Sequence, residues 1–137
     1  MKRLIFITAL ILITGITFGQ GLKKGNLIGT HVMEISLQPG VTMEQFTNFY
    51  VKTAIPEYEK IMTDVKFYLV NGIRGENKNS FGLIFIFGSE QIRNKYFNDD
   101  GSQTDFQKSI SEKLKPINEK LDKLGTVTTK YTDWIVQ

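Results

Sequence analysis

Few side chains in this sequence can carry chemistry. There is one histidine, His31, and no cysteine. That excludes a thiol nucleophile, a thiolate metal site, disulfides, and a zinc site built from several histidines. A Ser-His-Asp triad would have to use His31, and no G-x-S-x-G elbow exists to present the serine. No G-x-x-x-x-G-K loop is present to cradle phosphate, and Asp99 with Asp100 lacks the spacing of an EF-hand loop. What remains is His31, as an acid–base group or as a ligand to a metal or haem. Glu34 follows it. A set of aromatics, Phe46, Phe49, Tyr50, Tyr58, Phe67, Tyr68, Phe85, Tyr131 and Trp134, can line an apolar pocket for a flat ligand. Each has a structural alternative. A lone histidine needs a partner to tune it, so His31 also reads as a residue at the core's margin. Glu34 also reads as half of an ion pair, with Lys66 or Lys130 as partner. Aromatics at helical or strand spacing are commonly core, and Trp134 also reads as an interface contact.

The elements that must place these residues follow from periodicity. Leu27 to Leu37 alternates as a strand. His31, Met33, Ile35 and Leu37 share one face, and Thr30, Val32, Glu34 and Ser36 the other. "QPG" ends it. Thr42 and Gln45 then have the spacing of a capping box, with Val41 and Phe46 as a hydrophobic staple. Phe46, Phe49, Tyr50, Ala54, Tyr58 and Ile61 make one helical stripe. Pro56 lacks an N–H, so a kink or restart is expected near Thr53–Ile55. Val65–Arg74 and Phe81–Phe87 read as a hairpin across "GENKNS". The second of these strands is apolar on both faces, as a central covered strand is. Ser89 caps a short helix reaching Phe97. Thr104, with Gln107 at capping-box spacing, opens a long helix. Pro116 should bend that helix, and Gly125 fits the C′ position after it. Thr126–Val136 is a closing strand rich in Thr and aromatics.

The first nineteen residues read as a signal peptide. Lys2 and Arg3 precede the apolar run "LIFITALILITGI", and Thr17 and Gly19 are small residues before a cut ahead of Gln20. That run is shorter than the about 20 apolar residues a spanning helix needs, although an uncleaved anchor is the alternative. The expected location is outside the cytoplasm, in the periplasm or secreted. Cleavage removes Lys2 and Arg3, taking the basic residues from 17 to 15 against 14 acidic ones and the formal charge from +3 to +1. So balanced a domain has no electrostatic reason to bind nucleic acid or, once the signal is gone, a membrane. Residues 20–26 form a polar, flexible leader, and 27–137 suit one domain with one core.

The order β-α-β-β-α-β, with right-handed crossovers, gives a ferredoxin-like α+β fold: a four-stranded antiparallel sheet with its helices on one face. The third strand offers Ile84 and Ile86 on one side and Phe81, Leu83, Phe85 and Phe87 on the other, so the helices leave one apolar side uncovered. An exposed apolar sheet face marks association, so a homodimer through the sheet is expected.

The "ISLQPGVTMEQF" junction, the apolar third strand and the helix-then-strand ending resemble the dimeric α/β-barrel superfamily. This includes antibiotic-biosynthesis-monooxygenase-like and stress-responsive barrel domains. The resemblance covers about residues 27–137, judged by element order. It implies a dimeric barrel with a small-molecule pocket between sheet and helices, on the face of His31, Met33 and Ile35. The haem-degrading branch uses a polar residue on strand one and a helix histidine. This chain has no second histidine, and offers Met33 and Ile35 on strand one, which counts against that mechanism.

The reading that follows is an exported domain without a bound cofactor. It binds a small apolar or aromatic molecule through His31, Met33, Phe46, Tyr50, Phe67 and Phe85. The alternatives are a cofactor-free monooxygenase or isomerase with His31 or Tyr50 as proton carrier, and a structural or protein-interaction module with a filled core.

Overall fold

The structure is a computed structural model that describes residues 21–137. The signal-peptide reading and Gln20 fall outside the described residues. The elements run β1 (Leu27–Leu37), α1 (Met43–Phe49), a π-helical turn (Tyr50–Ala54), α2 (Ile55–Ile61), β2 (Val65–Asn71), β3 (Phe81–Phe87), α3 (Glu90–Tyr96), α4 (Asp105–Asp122) and β4 (Gly125–Ile135). The strands form one antiparallel sheet in the order β2-β3-β1-β4. This α+β arrangement is compatible with a ferredoxin-like fold, and it puts the apolar β3 in the interior of the sheet.

Local chemistry explains the element ends. Thr42 closes a full capping box: its hydroxyl accepts from the Gln45 N–H, and the Gln45 side chain accepts from the Thr42 N–H. At the second capping site only half the box forms. Thr104 accepts from the Gln107 N–H, but its own N–H donates to Tyr96 O instead of the Gln107 side chain, and its hydroxyl donates to Lys95 O. Pro56 acts as expected. The helix widens before it, so that the Ile55 N–H reaches back to Tyr50 O, and α2 restarts with the proline in its first turn.

Three details differ from the sequence reading. β2 ends at Asn71, three residues short of Arg74. The long helix α4 runs unbroken through Pro116, which lies on its exposed side, where the freed carbonyl is open to solvent. Gly125 begins β4 instead of ending α4 in a left-handed turn. A Cβ there would come within 2.8 Å of Ser36 O, so the missing side chain serves a close strand approach.

The period of two divides the sheet as expected. Leu27, Met33, Val65, Phe67, Leu83 and Phe87 are buried on the helix side. Two apolar clusters fill the space under the helices. One joins Leu27, Val65, Phe67, Phe87 and Tyr96 to Ile110, Leu114 and Ile117 of α4. The other joins Met33, Phe46, Tyr50, Leu83 and Leu121. The opposite face carries no helix. There Tyr68, Val70 and Trp134 are exposed, and Ile84 and Ile86 are half-buried.

Candidate functional site

His31 lies on the helix face of β1, where the sequence period puts it. Register supplies its neighbours. β1 pairs with β4 so that His31 is opposite Tyr131 and Gly29 opposite Asp133. The His31 ring sits between Phe85, with ring centroids 4.5 Å apart, and Tyr131, stacked at 5.5 Å. His31 Nδ1 lies 3.4 Å from the Thr129 hydroxyl. Together with Phe87, Arg93, Phe97, Gly101 and Asp133, these rings line a cavity of about 60 Å³ between the sheet and α3.

Arg93 organises this cavity. It is a buried residue of α3, and its Nε donates to Asp133 Oδ2 at 2.8 Å. Its Nη1 donates to the carbonyls of Phe97 and Asn98 at 3.0 and 2.7 Å. One guanidinium therefore ties the last strand to the loop after α3, using the planar fork that lysine lacks. Loop and strand also meet where Gly101, at φ 80°, passes so close to Tyr131 that a Cβ would collide with the phenol oxygen. A wider hollow of about 340 Å³ shares Arg93 and Asp133 and is lined also by Leu27, Glu90, Asn94, Asp99, Trp134 and Ile135.

Burial is the larger influence on His31 and lowers its pKa from 6.5, while the charge of Asp133 opposes the shift. The imidazole is therefore neutral at pH 7. The sign for stability follows. A histidine with a depressed folded pKa binds fewer protons folded than unfolded, so its contribution is complete above 6.5 and is lost as pH falls through the folded value. Stability should drop as pH falls below 6.5, and His31→Phe, which keeps a ring in the stack, should flatten that slope. Urea titrations across this range test it. Equal slopes in both proteins would show that His31 is not the group responsible.

The structure divides the residues singled out from sequence. His31 and Phe85 line the cavity together. Met33, Phe46 and Tyr50 are buried in the second core cluster, and Phe67 in the first. The Tyr50 phenol is pushed up by burial and then by Tyr58. Tyr58 is itself pushed up to about 12 by burial and then by the charge of Asp122. Tyr58 donates to Asn118 Oδ1 at 2.8 Å. Glu34 lies on the open face, with Lys130 at 3.6 Å, both well exposed, while Lys66 pairs with Glu59. Such a screened pair contributes little. Trp134 is on that face too, its indole N–H donating to the Thr30 hydroxyl.

Arg93 and Asp133 were absent from the sequence-derived candidates. One signal for them was available. Gly29 interrupts a strand of large residues, and a glycine inside a strand marks close approach of something else. That something is Asp133, whose Oδ1 would lie 3.2 Å from a Cβ on Gly29. Among the described residues no group of three or more His, Asp or Glu is placed to hold a metal, and no helix is long and apolar enough to cross a membrane. Compared with known proteins, the chain matches no protein-family model and no curated protein.

Proposed function

We propose that the chain is an exported binding domain of the dimeric α/β-barrel kind that takes a small, largely apolar molecule between its sheet and α3. The carrying observation is the cavity walled by Phe85, Phe87, Phe97 and Tyr131, with His31, Arg93 and Asp133 as its polar side. At about 60 Å³ it encloses one end of a ligand, since whole small-molecule sites run to about 300–1,000 Å³. Millimolar binding of a seven-atom fragment corresponds to about 0.6 kcal/mol per heavy atom, well inside the ceiling of about 1.5 for tiny ligands, and is the affinity expected for partial enclosure. Titration with toluene, followed by amide chemical shifts, should perturb residues of β1, β4 and the loop after α3. Saturating toluene without such shifts would favour a structural module.

Export rests on the Lys2–Arg3 start, the apolar Leu4–Ile16 run and the small residues before Gln20. A second copy is proposed for the open sheet face. Tyr68 and Trp134 are 50% and 58% exposed there, an apolar burden that a two-fold partner would cover. Glu34 and Lys130 lie side by side on the same face, so the pair adds no net charge to the surface that a second copy would cover. Light scattering at micromolar concentration tests this, and the mass of a single chain would overturn it.

One observation favours a second reading, cofactor-free oxygenase or isomerase chemistry. A neutral imidazole beside a carboxylate inside an aromatic cavity is a competent proton carrier. His31 would carry that role alone, because Tyr50 lies in the other cluster. Loss of turnover in His31→Ala with toluene binding retained would support it, and undiminished turnover would dismiss it.

A further inference from the structure

Gly29, on the helix face of β1, brings its backbone close to three side-chain atoms of its neighbours. From the point where a Cβ would sit, Asp133 Oδ1 is 3.2 Å away, and His31 Nε2 and Phe85 Cβ are each 3.6 Å away. His31 Nε2 and Asp133 Oδ1 thus lie on the same side of the Gly29 backbone, both residues line the cavity, and no direct hydrogen bond or ion pair joins them. Their other ends are engaged. Asp133 Oδ2 accepts from Arg93 Nε at 2.8 Å, and His31 Nδ1 faces the Thr129 hydroxyl at 3.4 Å. Resting on the binding function proposed above, we infer that the ligand is a neutral alcohol or phenol. Its hydroxyl enters first and bridges His31 Nε2 and Asp133 Oδ1.

The chemistry selects this class in three steps. First, a bridge of this kind uses the tautomer with its proton on Nε2, and the Thr129 hydroxyl can then donate to Nδ1. The bridging group must accept from Nε2–H and donate to Oδ1, and a hydroxyl does both through one oxygen. Second, the wall is charge-balanced. Arg93 and Asp133 cancel, and His31 is uncharged at neutral pH. A carboxylate ligand has no proton to donate and meets Asp133 with like charge. An ammonium has no lone pair to accept with and meets Arg93. Third, the remaining wall is aromatic, which suits a ring or short hydrocarbon behind the hydroxyl.

The test compares phenol, toluene and benzoate on the wild-type chain by amide chemical-shift titration. Phenol should bind about ten- to a hundredfold more tightly than toluene, the range for a hydrogen bond to a charged group, and benzoate no better than toluene. Gly29→Ala puts a methyl group 3.2 Å from Asp133 Oδ1, so the carboxylate must give by a few tenths of an ångström. It should bring phenol down to the toluene level, with no added strain from the backbone because Gly29 needs no positive φ. Equal affinity of phenol and toluene in the wild type would overturn the hydroxyl inference and leave the apolar site standing. Tighter benzoate would replace it with an anion site on Arg93. Binding of none of the three would overturn the inference and the binding function together. The wild-type series decides the matter even where Gly29→Ala folds poorly.

Discussion

Arg93→Ala should destabilise the domain by about 3 kcal/mol or more, the cost of breaking a buried charge pair by removing one partner. The Arg93 side chain is 8% exposed and that of Asp133 26%, so water reaches the carboxylate only in part when its partner goes. The carbonyls of Phe97 and Asn98 lose their donor as well. For a domain of this size that corresponds to a fall in Tm of about 10 °C. Arg93→Lys should recover little. One ammonium cannot reach a carboxylate on β4 and two carbonyls in the loop from one position, whereas Nε and Nη1 do so in one plane. Removing both charges together, as Arg93→Met with Asp133→Leu, should cost less than Arg93→Ala alone, because no unpaired ion remains. Thermal and urea unfolding of the four proteins measures this. A loss below about 1 kcal/mol for Arg93→Ala would mean that the loop after α3 is held by Tyr131 and Gly101 instead.

The same residue shows why part of the site was hidden from sequence. Arg93 stands in a short, polar helix, "EQIRNKY", where a lone arginine ordinarily faces water. Its burial is decided by Asp133, and Asp133 reaches it only through the pairing of β1 with β4. That register joins residues about a hundred positions apart. No local pattern carries such information. Periodicity did carry the face of His31, because a strand's alternation is local. It carried the capping box at Thr42 and the interruption at Pro56 for the same reason. It also placed Phe46 and Tyr50 on a buried stripe, but a stripe does not say what it packs against. The widened turn at Tyr50–Ala54 and the packing of α4 put both with Met33, Leu83 and Leu121, away from the cavity rings. Gly125 shows the converse. A glycine between a helix and a strand satisfies the spacing of a helix cap and of a close strand contact equally, and only the distance to Ser36 O distinguishes them.

Phe46 is where a ligand-lining role and a core role diverge most sharply in magnitude. It is 0% exposed, and its ring lies 5.7 Å from that of Tyr50 in the second cluster. Truncation to alanine removes its contacts and leaves a void that α1 cannot collapse into freely. The capping box at Thr42 fixes one end of that helix, and Ile55 N–H···Tyr50 O fixes the turn after it. Phe46→Ala should therefore cost about 3–5 kcal/mol, as buried Phe→Ala changes do. Phe46→Leu, which retains most of the volume, should cost much less. Against a total stability of about 5–15 kcal/mol, the larger loss places the variant near the threshold for folding at 37 °C. Were Phe46 chiefly a ligand contact, the alanine variant would unfold almost as the wild type does and would lose phenol affinity instead. The core role requires the opposite: a large drop in the urea midpoint, with phenol affinity unchanged wherever the variant is still folded.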